Sequence, residues 1–296
     1  FLLNRSSDLS LAFRYLGGNE GMVFGSSRGL SGGALKSLSF ADSTVVIVQG
    51  NVQVVGHVFG GGENGHVQKG THVEIKENAI IGGVPLHGGN YDIDGGVYNG
   101  VHLHADVAEL TENNLGAGSR IYRGNVFGGG MGTEFIEWWK THHGLNRYCY
   151  TAGRVYGNTY VKVSGNAKIY NRVYGGGAIA SVGEFQNEDA NNSHAITGLV
   201  SGGKCFVTIS GGTIGSPGSN GMKCGEVYGG GRGMAGRAKR SDEPNYLLPL
   251  HQVVDEAYVG HTYVNVKGGT IMSNVYGGGA NGHVEGNTHV TVSDGS

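Results

Sequence analysis

Short runs of alternating apolar and polar residues, each closed off by glycine, recur along this chain in one fixed order. The string V-[FY]-G-G-G starts at Val58, Val126, Val173, Val227 and Val275, with degenerate copies at Val23 and Val97. A second string, T-x-V-x-[VI], follows the good copies at Thr71, Thr159, Thr262 and Thr288, and a variant beginning at Cys205 fills the remaining place. A third, roughly G-[GN]-[TA]-x-I, leads back to the next V-[FY]-G-G-G and is clearest from Gly211 and from Gly268. Residues 58–67 and 275–284 are almost the same string, and each continues at the same spacing to T-H-V.

An apolar residue at every second position, bounded by glycine, predicts a short strand between turns. Three such strands per unit, always in the same order, predict an all-β chain coiled as a right-handed, three-sided parallel β-helix of about six to seven turns. Equivalent strands of successive turns then pair in parallel about 4.8 Å apart. Thr71, Val73 and Ile75 are expected to point inward, and Val73, Val161, Val207, Val264 and Val290 to stack in one interior column. Glycine is assigned to corners and to positive φ. A propeller, with one four-stranded blade per repeat, fits less well because the shortest units hold only three strand-like strings.

The whole chain, residues 1–296, reads as one repetitive domain, with 1–40 as a degenerate first turn or cap. Repeat character fades at 81–120, and long insertions occupy 131–158, 178–204 and 232–261. All three long insertions fall between a glycine triplet and the next T-x-V string, so they are expected to leave one corner and to lie side by side. Loops carried on a rigid scaffold are where recognition usually resides. Trp138, Trp139, Phe185 and Tyr246 are the candidate binding residues there, as one partly exposed apolar patch. The competing expectation is a private mini-core that folds the loops down. The position after the threonine is a ring in five units, His72, Tyr160, Phe206, Tyr263 and His289. This exposed ladder is expected to stabilise the sheet by stacking, or alternatively to offer a platform to a sugar.

Composition narrows the chemistry. The 59 glycines lack an every-third-residue period, which excludes collagen. A net charge of −2 without a basic block argues against nucleic acid as a partner. No apolar run is long enough to predict a helix across a bilayer. Cys149, Cys205 and Cys224 are too few for a disulfide framework; Cys205 and Cys224 either pair across units or stay free. The glycine triplets do not continue as a phosphate-binding loop, and neither a nucleophile elbow nor a zinc-binding H-E-x-x-H occurs. The pairs His66/His72 and His283/His289 recur because the repeat recurs, so no metal and no cofactor are expected. Carboxylates for hydrolysis or elimination could come from Glu134, Glu137, Asp189 or Asp255, and no motif selects among them.

Taken together, V-Y-G-G-G-x-x-G-x-V-x-G-[NH]-T-x-V-x-[VI]-x-G-G-x-I resembles the glycine-rich VYGGG-type β-helical repeats of large surface-exposed or secreted, adhesin-like proteins of Bacteroidetes. The resemblance covers roughly residues 44 to 292 in interrupted form. It implies an extracellular or cell-surface structural and adhesive module, and it carries no catalytic residue. The expected partner is a glycan or a host or bacterial surface protein, with end-to-end self-association through open strand edges. The alternatives are a carbohydrate-active β-helix enzyme, a polysaccharide lyase or glycoside hydrolase, and a phage fibre or tail-spike-like protein. The start at Phe1 and the stop at Ser296 within a repeat predict a piece of a longer protein.

Overall fold

The computed structural model describes residues 21–29, 39–83, 97–98, 101–102, 124–132, 151–186, 197–217, 223–233 and 257–294. Among them the chain is all-β, with no helix and with its main sheets built from parallel strands. The V-[FY] pairs form a 6-stranded parallel sheet, in the order Val23, Val58, Val126, Val173, Val227, Val275. Valine lies on valine and ring on ring throughout. These pairs define six units, numbered 1 to 6 in chain order. Because successive residues face opposite sides of a strand, the valines line one side and the rings the other. Phe24, Phe59, Phe127, Tyr174, Tyr228 and Tyr276 stack with centroids 4.7–5.0 Å apart, the spacing of the strands that carry them.

The T-x-V-x-[VI] strings make the second stack. Here Val46, Val73, Val161, Val207, Val264 and Val290 are paired in register from unit to unit. A third stack runs through Val54, Ile81, Ile169, Ile214 and Ile271. The inward residues of all three stacks belong to one apolar core, in which Val58, Val73, Ile81, Val161 and Ile169 are buried together. Threonine is inward as well, and its hydroxyl needs a partner in that core. Thr44, Thr71, Thr159 and Thr262 each donate, at 2.5–2.6 Å, to the carbonyl of the first triplet glycine of the following unit. Cys205 takes the threonine's place in unit 4 as a free, buried thiol, and burial pushes its pKa up to about 12.

This packing corrects the reading of the triplet glycines. None of Gly60, Gly61, Gly62, Gly128, Gly129 or Gly130 has a left-handed φ. What they lack room for is a Cβ. One at Gly60 would collide with the Gly128 carbonyl, one at Gly128 with that of Gly175, and one at Gly175 with that of Gly229. Units approach one another along this line as backbone on backbone. Positive φ is used elsewhere, as at Gly165 (66°).

A fourth column consists of single parallel bridges, Val67 to Val155, Val182, Val259 and Val284. It locates the insertions. Unit 2 lies directly against unit 3, Val58 on Val126, although residues 84–123 intervene in sequence. In units 3 and 5 the extra residues precede the bridging valine, Val155 or Val259; in unit 4 they follow Val182 and run to Cys205. The three long insertions therefore do not share one departure point. Two leave before the bridge and one after it.

Candidate functional site

On the outward side of the T-x-V-x-[VI] stack, chemistry-bearing side chains line up from unit to unit. The midline of that side is the ring ladder. Tyr160 and Phe206 stack at 4.9 Å, Phe206 and Tyr263 at 4.8 Å, and Tyr263 and His289 at 5.3 Å, with planes 3°, 11° and 2° apart. His72 is set off from Tyr160, at 6.4 Å and a 33° tilt. In unit 1 the equivalent residue is Val45. The stacking has a chemical consequence. Each inner ring has both faces covered by neighbours, so solvent meets ring edges. A flat sugar that packs on a ring face finds none free at Phe206 or Tyr263.

Two residues on from the rings stand Glu74, Lys162, Thr208, Asn265 and Thr291, in register. Lys162 Nζ lies 3.1 Å and Lys76 Nζ 3.3 Å from the Glu74 carboxylate. The hydrogen bond from Lys162 holds the Glu74 carboxyl below its ordinary range, against a smaller opposing effect of burial. Two residues before the rings, side chains cap the next strand's backbone. The Asn158 side-chain oxygen accepts from Lys204 N at 3.0 Å, and His261 Nδ1 accepts from Asn287 N at 3.0 Å.

A second polar column precedes the V-[FY] pairs, and sequence reasoning did not single it out. His57 Nδ1 accepts from Asn125 N, and the Asn125 side chain accepts from Arg172 N. Arg172 Nε donates to Glu226 at 2.6 Å, and Glu226 also accepts from Gly225 N and Ser273 Oγ. The signal was available as a polar residue immediately before five of the six valines, all but Val23, but it varies in type and so makes no string.

Of the candidate loop-edge residues, Trp138, Trp139 and Tyr246 lie outside the described residues. Phe185 is buried, not exposed. It sits on a strand, Glu184–Gln186, paired antiparallel with Thr197–Ser201, and packs edge-on against Tyr258 at 5.6 Å with Leu199 beside it. That hairpin reaches unit 6, where Gly198 N donates to Glu285. For this ring the packing is that of a local mini-core.

The two similar histidine pairs have unlike surroundings. His66 is buried, stacked on Phe40 at 4.8 Å, with Nε2 2.9 Å from Thr151 Oγ1. His283 lies 4.4 Å from the Tyr258 ring and 3.3 Å from Glu285. Three residues before His66, Glu63 is buried with Arg28 Nε 3.5 Å away and with Oε1 lacking a partner among the described residues. Burial raises its pKa, and Arg28 opposes the rise. Among the described residues no three His, Cys, Asp or Glu side chains come together as metal ligands, and no helix is long and apolar enough to cross a membrane. No family model, curated protein or solved structure matches this chain.

Proposed function

We propose that the chain is a right-handed, three-sided parallel β-helix serving as a non-catalytic structural and adhesive module at a bacterial surface or in the extracellular space. The observation that carries the scaffold reading is the shared core. Three stacks of parallel strands, met in the same order in units 1 to 5, contribute their inward residues to one apolar interior. The right hand follows from the preference of parallel crossovers. Repeats that contact only their neighbours make a rod whose length grows with the number of units, a form suited to presenting loops away from an anchor.

Adhesion is favoured over turnover by how the outward polar groups are used. Glu226, with three donors around it, and Glu74, between two lysines, are both tied to neighbouring units. A general acid or base needs freedom to exchange a proton with substrate. The likeness of the repeat to Bacteroidetes surface proteins points the same way. In this reading a glycan or surface protein is held by the insertions, with Trp138 and Trp139 as anchors.

A glycan array read both for retention and for new reducing or unsaturated ends tests the proposal. Retention without product is expected, and product formation would replace adhesion by catalysis. Changing Trp138 and Trp139 together to alanine should abolish retention of neutral glycans while the melting temperature holds. Such retention surviving the double change would remove the insertions as the binding edge.

A further inference from the structure

The outward T-x-V face is cationic. Its charged side chains are Lys69, Lys76, Lys162, Lys204 and Lys267 against Asp42 and Glu74, in a chain that is net negative overall. Lys204 and Lys267 are exposed, and the Lys162 side chain is 48% exposed. Between these ammonium groups runs the ring ladder, presenting edges. An aromatic ring is negative over its face and positive around its edge, so a line of edges adds to the cationic character of its flanks. Tyr160 and Tyr263 carry hydroxyls on either side of Phe206, two strand spacings apart, which is about 9.6 Å. Thr208 and Asn265 run parallel to them.

We infer that this face binds an acidic polysaccharide, a uronate-type polymer lying along the stack axis. The rings recur at one spacing, and each of units 2 to 5 adds at least one lysine beside them at a differing position, so a linear ligand with repeating charge meets a ring and a cation at each step. The ring edges and lysines take carboxylates, while Thr208, Asn265 and the two phenols take sugar hydroxyls. Nucleic acid fits less well. Single strands hold to proteins by stacking bases on open ring faces, and here the inner faces are filled by neighbouring rings. Duplexes demand a denser cationic surface than five lysines offset by two carboxylates. Lys69, Lys76 and Lys162 are already paired with Asp42 and Glu74, and neutral sugars offer no counterpart to the exposed Lys204 and Lys267.

Calorimetry with polygalacturonate, neutral dextran and an oligothymidylate strand tests this on the whole chain. Polygalacturonate should bind, weaken as salt rises from about 50 to 200 mM, and lose about tenfold or more in affinity in the Lys204→Glu/Lys267→Glu variant. Dextran should not bind. Because both lysines are exposed, the variant should melt with the parent. If it does not, acetylation footprinting of the parent replaces it, with protection of Lys204 and Lys267 by the polymer expected. Absence of binding, equal binding to oligothymidylate, or an unaltered affinity or footprint would each overturn the inference. So would loss of polygalacturonate binding on changing Trp138 and Trp139 alone, which would assign the polymer to the insertions.

Discussion

Units 2 and 6 have nearly the same sequence from the V-[FY]-G-G-G string to T-H-V, and they live in different surroundings. Unit 2 is held between units 1 and 3, whereas unit 6 pairs with unit 5 on one side. Phe59 is wholly buried and its counterpart Tyr276 is 43% exposed; Ile75 is wholly buried and Val292 is 70% exposed. The same inward pattern is thus dry where a described unit covers it on both sides and exposed where one does so on a single side. Burial in this protein is conferred by the neighbouring unit, and the sequence of a unit supplies only the capacity for it.

Ring truncation should separate the two units most. Phe59→Ala is expected to cost about 3–5 kcal/mol, as for other fully buried rings, and Tyr276→Ala less than about 1 kcal/mol. Urea titration of both variants measures this, and equal losses would mean that neighbours do not decide burial. Glycine comes next. A Cβ at Gly61 would lie 2.6 Å from Gly130 N, while one at Gly278 would meet nothing within 4 Å. Gly61→Ala should therefore cost about 1–3 kcal/mol, and Gly278→Ala should stay within about 0.5 kcal/mol of the parent. A costly Gly278→Ala would show that the triplet answers to something other than cross-unit contact.

The smallest effects are electrostatic, and they carry opposite signs. Unit 2 has two carboxylates where unit 6 has Ala280 and Thr291. Glu74 is held below the usual value of 4.5 by Lys162, so its contribution is present above that pH and disappears as pH falls through the lowered value. Glu74→Thr should cost about 0.5–1 kcal/mol at pH 7 and less at pH 3. Glu63 is raised above 4.5 by burial, so its contribution is fully present below that pH and is lost as pH rises through the raised value. Glu63→Ala should gain on the parent as the pH of a urea series climbs from 4 to 7. A gain in the reverse direction would show that the Arg28 pair outweighs burial.

Much of this was legible because the repeat is written twice over. Val73 and Val161 share a column, and Tyr160 and Phe206 share a ladder, since both strings keep one register and side chains alternate. The bridging column was legible only in part. Val155 and Val284 head V-x-G-N-T, but Val259 is one residue closer to its threonine and Val182 has no such string after it, and all pair through single residues. Counting the insertions to the next T-x-V string hid that Val182 comes before its insertion. Phe185 read as an exposed aromatic because its partners Tyr258 and Leu199 are brought to it by hairpin formation and by stacking. The glycine triplets were legible as a requirement and misread as to cause. Their constraint is a carbonyl on the adjoining unit, which no local pattern displays.

Cys205 turns the threonine column into a clock. Its thiol lies wholly inside, and with a pKa near 12 only about one in ten thousand is ionised at pH 8. Alkylation at this residue, followed by mass spectrometry peptide by peptide, therefore counts the moments at which unit 4 parts from its neighbours. When the chain is stretched, the rate at which Cys205 becomes reactive reports when unit 4 gives way.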